Sequence, residues 1–267
     1  TAAPTLLPQL NQAQFRTLAS EILASSSLYE ETYEETYPGL FLMPGEMGYI
    51  PYQHDTRWQE QVFRTGINRE VNLLVKGGDE ISRYGLSVGY LNQDGNIKNT
   101  DFTRYNIRFT SFLRVYSWLE MNVNASLNNG VSNLIPSALS EEASPILTGL
   151  FISPQLYPFN YDDNGNELRT ISDVRAFGVS NPYAVVHKSR SRNTGNRFIT
   201  SMNLKADINS YLDWNSLVGL NLNSLKEEVF RPQVGMADYL DGLAYSYAEE
   251  NNNKYNSIYT NDYLALD

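Results

Sequence analysis

From Glu70 onward apolar and polar positions alternate. In EVNLLVK, Val71, Leu73 and Val75 point one way and Asn72, Leu74 and Lys76 the other, the period-two signature of a β-strand. Gly77-Gly78-Asp79-Glu80 follows as a tight turn. SRYGLSVGYL then sets Tyr84, Leu86, Val88 and Tyr90 against Arg83, Gly85, Ser87 and Gly89. Beyond a polar loop over residues 92–100, TRYNIRFT separates Tyr105, Ile107 and Phe109 from Arg104, Asn106, Arg108 and Thr110. A turn at Val115 to Ser117 leads into WLEMNVNASLNN, where Leu119, Met121, Val123, Ala125 and Leu127 oppose Glu120, Asn122, Asn124, Ser126 and Asn128.

The alternation lapses over residues 129–196, where Pro136, Pro145, Pro154, Pro158 and Pro182 interrupt the chain. It returns at Phe198. ITSMNLKADI places Thr200, Met202, Leu204, Ala206 and Ile208 opposite Ser201, Asn203, Lys205 and Asp207. After the turn NSYLDW, LVGLNLN does the same with Val218, Leu220 and Leu222 against Gly219, Asn221 and Asn223. Past Glu227 the sequence turns polar and tyrosine-rich, and it reads as a loop.

Helical spacing is confined to short pieces. NQAQFRTLASEILA carries apolar positions at Phe15, Leu18, Ile22 and Leu23 behind Asn11, a suitable N-cap. SPILTGLF predicts a short helix opened by Ser144 with Pro145 at its first position. The doubled unit YEETYEETY, Tyr29 to Tyr37, reads either as an exposed acidic loop or as a carboxylate cluster around Glu30, Glu31, Glu34 and Glu35 that holds a cation or a partner. YDDNGNE lacks the spacing of a calcium loop and reads as a turn on Asn164-Gly165. HKSRSRNTGNR, His187 to Arg197, is the basic cluster, suited to lipid phosphates, acidic loops or solvent.

Period two alone fits a soluble sandwich as well as a membrane barrel. Strand length separates them, because soluble strands average about five or six residues and a tilted membrane strand needs about nine to eleven. The runs at 81–91, 103–113, 118–128, 198–208 and 214–223 are of the longer kind. Their polar faces carry Arg83, Arg104, Arg108, Glu120, Lys205 and Asp207, as the wet interior of a wide barrel would. Tyr84, Tyr90, Trp118, Tyr211 and Trp214 stand near strand ends, where interfacial girdles lie. Short and long connections also alternate, matching periplasmic turns and extracellular loops. The expectation is an all-β fold: part of a large antiparallel transmembrane barrel, about six strands of it, with long extracellular loops carrying short helices. It divides into an extracellular loop region with a short helix (1–69), barrel strands (70–128), a long extracellular loop (129–196), further strands (197–225) and a loop in which the chain ends before the barrel closes (226–267). A soluble β-rich binding module of lectin type is the alternative.

Composition removes other classes. A net charge of −10 over 267 residues opposes a nucleic-acid coat, which needs a basic surface. With no cysteine there is no disulfide, no thiolate nucleophile and no cysteine-ligated metal. Only two histidines, His54 and His187, are present, and neither sits in a metalloprotease spacing. No run of apolar residues is long enough for a membrane-spanning helix. The first residues do not form a charged, apolar, small-residue leader, so the expectation is that Thr1 follows processing or that the chain is a piece of something longer. The expectation is no catalytic residue, no metal and no cofactor.

HDTRWQEQVFRTG and LLVKGGDEISRYGLSVGYLNQDGNIKNTDFTRYNIRF resemble the early barrel region of SusC/RagA-type TonB-dependent outer-membrane transporters of Bacteroidetes. The matching positions are Asp55, Trp58, Val62, Phe63, Arg64, Gly77, Gly78, Tyr84, Gly89, Tyr90, Gly95, Phe102, Arg104 and Tyr105, with turn signatures at Ser117 to Leu119 and Asp213-Trp214 and Asn181-Pro182 in the long loop. The resemblance is strongest over 55–128. It implies a barrel of about 22 strands filled by a plug domain, a SusD-like surface lipoprotein as partner, energy from TonB through parts of the protein outside this chain, and import of oligosaccharides or peptides across the cell outer membrane. The plug is absent from these residues. On this mapping Arg83, Arg104, Asn106, Arg108, Glu120, Asn122, Asn124 and Lys205 face the lumen and wall the substrate path. A structural or assembly subunit that reuses the barrel without transport is the other reading.

Overall fold

The computed structural model describes residues 4–25, 38–135, 144–162, 164–173, 179–237 and 246–266. YEETYEETY and Pro136 lie outside them. The strands are β1 (Asn68–Gly78), β2 (Ser82–Asp94), β3 (Asp101–Tyr116), β4 (Leu119–Leu134), β5 (Phe159–Tyr161), β6 (Glu167–Ile171), β7 (Arg190–Asn209), β8 (Leu212–Arg231) and β9 (Tyr247–Leu266). Seven of them form one antiparallel sheet in the order β1-β2-β3-β4-β7-β8-β9, with β5 and β6 as a separate hairpin. Each strand pairs with its sequential neighbour in the sheet, and β1 and β9 are its edges, so the described arc is open.

Connections alternate in length as expected. At one end, residues 79–81, 117–118 and 210–211 turn the chain tightly. In the first, Asp79 Oδ1 accepts the backbone N–H groups of Ile81 (2.9 Å) and Ser82 (2.8 Å), which hold its carboxyl below the usual carboxylate range. Gly78 at φ +134° is required there, because a Cβ would run into the Ser82 backbone.

The sheet is larger than the sequence pattern shows. Strands β4 and β7 continue to Leu134 and back to Arg190, into the stretch read as loop, and β8 reaches Arg231. Residues 247–266, also read as loop, are the twenty-residue strand β9, so the described arc has seven strands rather than six. A physical reason is visible on β7 and on the first half of β9, Tyr247 to Asn256. On β7 the greasy side runs only from Phe198 to Ile208, about eleven residues, while Arg190 to Arg197 is polar on both sides. Alternation vanishes where both faces are polar, yet the backbone ladder continues unbroken from Leu212↔Leu266 to Arg231↔Tyr247.

Among the described residues, every buried hydrophobic side chain except Ala206 lies outside the large sheet, in a cap built from the loops. The helix Trp58–Val62 packs against Pro145–Phe151 and Pro182–Lys188. Trp58 is 1% exposed, and its Nε1 donates to Ser153 O at 2.9 Å. Thr56 Oγ1 donates to Leu156 O at 2.6 Å. Asn181 caps the Pro182–Lys188 helix by accepting from Tyr183 N (3.0 Å) and Ala184 N (3.4 Å), while its Nδ2 donates to Pro158 O and Ser172 O. Arg64 clamps the β2–β3 loop, donating to Gly95 O at 3.1 Å and Thr100 O at 2.8 Å. Trp58, Val62 and Arg64 therefore carry structural work in the cap.

The helix Gln12–Ser25 starts as expected at Asn11, whose Oδ1 accepts Gln14 N (2.9 Å) while Gln14 Oε1 accepts Asn11 N (3.1 Å). Ser144 differs. It occupies the cap position of Pro145–Phe151, but its hydroxyl makes no cap bond and its carbonyl accepts Thr148 Oγ1 at 2.8 Å instead. Asn164-Gly165 forms a turn, with Gly165 at φ +80° and its N–H donating to Asp162 O at 3.0 Å.

Candidate functional site

Directly paired residues of neighbouring strands share a face, so the register sorts side chains without ambiguity. Arg83 stands opposite Phe112, Phe112 opposite Asn122, and Asn122 opposite Asn203. Arg104 pairs with Leu91 and Gly130, Asn106 with Gly89 and Asn128, Arg108 with Ser87 and Ser126, Asn124 with Thr110 and Ser201, and Glu120 with Arg114 and Lys205. All eight residues singled out from the sequence lie on this polar face. The other face carries Leu86, Val88, Ile107, Phe109, Met202 and Val218.

The polar face is concave over β1 to β4. A hollow of about 560 Å³ is lined by Asn72, Lys76, Arg104, Asn106, Arg108 and Asn128 among others. Gly89 lies between two of these lining residues, and a Cβ there would collide with the amides of Asn72 and Asn106. Among the described residues neither Arg104 nor Arg108 has an ion-pair partner. Two guanidiniums free of ion pairs among carboxamides make a surface able to donate hydrogen bonds to carbonyl, carboxylate or hydroxyl oxygens. A smaller hollow of about 230 Å³ collects Arg83, Asn122 and Asn124. There the Arg83 guanidinium lies 4.4 Å from the centre of the Phe112 ring, in a cation–π contact.

Glu120 and Lys205 sit apart from both hollows, toward the tight turns. They are direct cross-strand neighbours, yet each is held by another group: Glu120 by Arg114 at 3.0 Å, Lys205 by Asp213 at 3.0 Å and Asp207 at 3.3 Å. The basic cluster is also divided. His187 and Lys188 end a helix, Arg190 and Arg192 lie on the β7 face continuous with the apolar band, and Arg197 lies on the polar face opposite Asn128 and Asn223. Burial, then the charges of Lys98 and Lys188, lower the His187 pKa. Its Nδ1 lies 3.1 Å from Asn99 Nδ2.

Sequence reasoning missed the polar face of β9, with Tyr255, Tyr259 and Tyr263 opposite Asn223, Gly219 and Asn215. The signal available was the spacing of tyrosines every fourth residue. It also missed the role of His54, which stacks on Tyr157 at 4.8 Å and on Tyr161 at 4.7 Å in a three-ring cluster.

No protein-family model matches the chain. It is 21% identical over 193 residues to TonB-dependent receptor P3 of Formosa agariphila, covering 71% of this chain and 19% of that protein. To TonB-dependent receptor SusC of Bacteroides thetaiotaomicron it is 30% identical over 91 residues, 33% of this chain and 8% of that protein. The chain therefore spans under a fifth of the length of these curated relatives. Among solved structures, the RagAB peptide importer in its open-open state superposes with a TM-score of 0.61 at 16% identity, over 94% of this chain and 28% of that one, which shows a shared fold. The resemblance to SusC/RagA-type TonB-dependent transporters is borne out, and the open antiparallel arc matches part of such a barrel.

Proposed function

We propose that this stretch of a SusC/RagA-type TonB-dependent barrel forms one wall of an outer-membrane import path for oligosaccharides or peptides. The carrying observation is the concave polar face, where Arg104 and Arg108 lie without ion-pair partners beside Asn72 and Asn106. It is backed by a face whose large apolar residues stand open, Val71 at 65% and Leu73 at 60% exposure, as a lipid-facing surface requires. No helix among the described residues is long and apolar enough to cross a membrane, so on this reading the strands do the crossing. In it the apolar face meets lipid, the polar face meets water and cargo, and the cap lies on the extracellular side. A SusD-like lipoprotein closes the path from outside, and TonB supplies energy through other segments of the protein.

The test is uptake by cells carrying the full-length gene or a deletion of it, offered labelled oligosaccharides and labelled oligopeptides. Loss of uptake of one cargo class on deletion, restored by the wild-type gene and reduced in an Arg104→Ala/Arg108→Ala variant, supports the reading. Unchanged uptake of both classes on deletion, with no lipoprotein co-purifying, overturns it in favour of a structural subunit. A folded, monodisperse protein obtained without detergent overturns the membrane assignment itself.

A further inference from the structure

The polar face changes character across the arc. On β2 to β4 it holds Arg83, Arg104, Arg108, Arg114 and Glu120; on β9, from Asn251 to Ala265, it holds no charged side chain. What it holds is Tyr255, Tyr259 and Tyr263, with Asn253, Ser257 and Asn261 interleaved. Four residues of strand advance about 13 Å, so the three rings form a row about 26 Å long.

These tyrosines are not a membrane girdle. Girdle aromatics stand on the lipid-facing side of a strand, and the pairings Tyr255↔Asn223, Tyr259↔Gly219 and Tyr263↔Asn215 put all three on the opposite side. Nor are they packed within the described arc: they are 61%, 51% and 52% exposed, and none stacks on another described ring. Gly219 shows how one of them is set. A Cβ there would collide with the Tyr259 ring, so the ring lies across the bare backbone of β8 and buries Gly219. One ring face is seated and the other is open.

An open aromatic face flanked by carboxamides and hydroxyls, without charge, complements a flat ring that is apolar on its face and hydroxylated at its rim. Resting on the transport reading above, we propose that the β9 polar face is a stacking rail for the pyranose rings of a neutral glycan, and that the cargo is carbohydrate. A peptide with charged termini finds no counter-charge on β9 itself between Asn251 and Ala265; on β8 the charges of this face, Glu227 and Asp213, stand only at the two ends of the row. The arginines of β2 to β4 serve polar and anionic groups elsewhere on the path.

The test uses the full-length transporter, purified with any lipoprotein that accompanies it, and a panel of neutral malto-, cello-, xylo- and manno-oligosaccharides beside an alanine-glycine oligopeptide. Binding is read by calorimetry and import by uptake in cells. For at least one oligosaccharide, each Tyr→Ala change weakens binding about threefold to tenfold and the triple variant abolishes uptake, whereas Tyr→Phe stays within about threefold of wild type. Gly219→Val leaves every tyrosine in place but lifts the Tyr259 ring from its seat, and it reproduces the Tyr259→Ala loss. Heat-modifiable migration in gels verifies that each variant forms a barrel. A wild type that imports an oligosaccharide while the triple variant imports it equally well overturns the rail alone. Import of the peptide and of no oligosaccharide overturns the carbohydrate assignment. A wild type that imports no probe overturns the transport reading, and the rail falls with it.

Discussion

Trp58 in the cap is 1% exposed, and Ile258 on the sheet is 74% exposed. Both are large apolar side chains in ordered elements, and the contrast runs through the molecule. The cap encloses Trp58, Ile152, Leu156, Val185 and Met236 against themselves. The sheet turns Val71, Leu73, Leu86 and Ile107 outward and is held by its backbone ladder. A cap stabilised by its own packing answers to core chemistry. A sheet with an open greasy face answers to its surroundings.

Core truncation in the cap should give the largest effect. Trp58→Ala removes a fully buried ring and strands the Ser153 carbonyl, at about 3–5 kcal/mol. Limited proteolysis should then cut the cap, while hydrogen exchange leaves β7 to β9 as protected as before; loosening of both together would dissolve the contrast. A charge on the greasy face comes next. Val88→Arg should cost about 2–4 kcal/mol in a lipid bilayer. In water the same exposed substitution should change little, so denaturation of the wild type and variant in vesicles decides whether that face meets lipid. Asn181→Ala should cost about 1–3 kcal/mol, through the lost helix cap and the stranded Pro158 and Ser172 carbonyls, and it should register in the cap alone.

Acid sharpens the same division. Burial lowers the His54 pKa from 6.5, with Glu167 opposing, and His187 is lowered as well. A histidine whose folded pKa is depressed favours folding in its neutral form. Its contribution is complete above the unfolded value of 6.5 and is lost as pH falls below it. Proteolysis of the cap should therefore accelerate below pH 6.5, and His54→Phe should flatten part of that dependence. The smallest effect is expected at Asp262, a carboxylate on the greasy side of β9 opposite Ser216. Asp262→Asn should stabilise the sheet by about 1 kcal/mol in lipid and by nothing measurable in water.

Legibility follows the same line. Where one face is greasy, period two announces the strand and assigns its faces, which is why Arg83, Arg104, Asn106, Arg108, Glu120, Asn122, Asn124 and Lys205 could be grouped before any coordinates. Where both faces are polar, as in Asn251 to Asn256, only backbone pairing makes the strand, and side chains do not record it. The tyrosine row stayed hidden because its strand did. The cap core was illegible for another reason: Trp58, Leu156 and Val185 follow no common period and meet through bonds such as Thr56 to Leu156, a hundred residues apart. Partner choice was equally out of reach, since Glu120 faces Lys205 in register but bonds to Arg114.

Twenty-residue strands are also long. At about 3.3 Å per residue, β7, β8 and β9 each extend about 66 Å, whereas the greasy stretch of β7 needs only about 36 Å of that. Set in a bilayer, the remainder stands clear of the lipid as a stiff hydrogen-bonded collar, and Ser189 alone separates the cap helix Pro182–Lys188 from its rim. A collar of that height acts as a standoff. In that setting it would carry the cap above the headgroups on a rigid ladder rather than on slack loops.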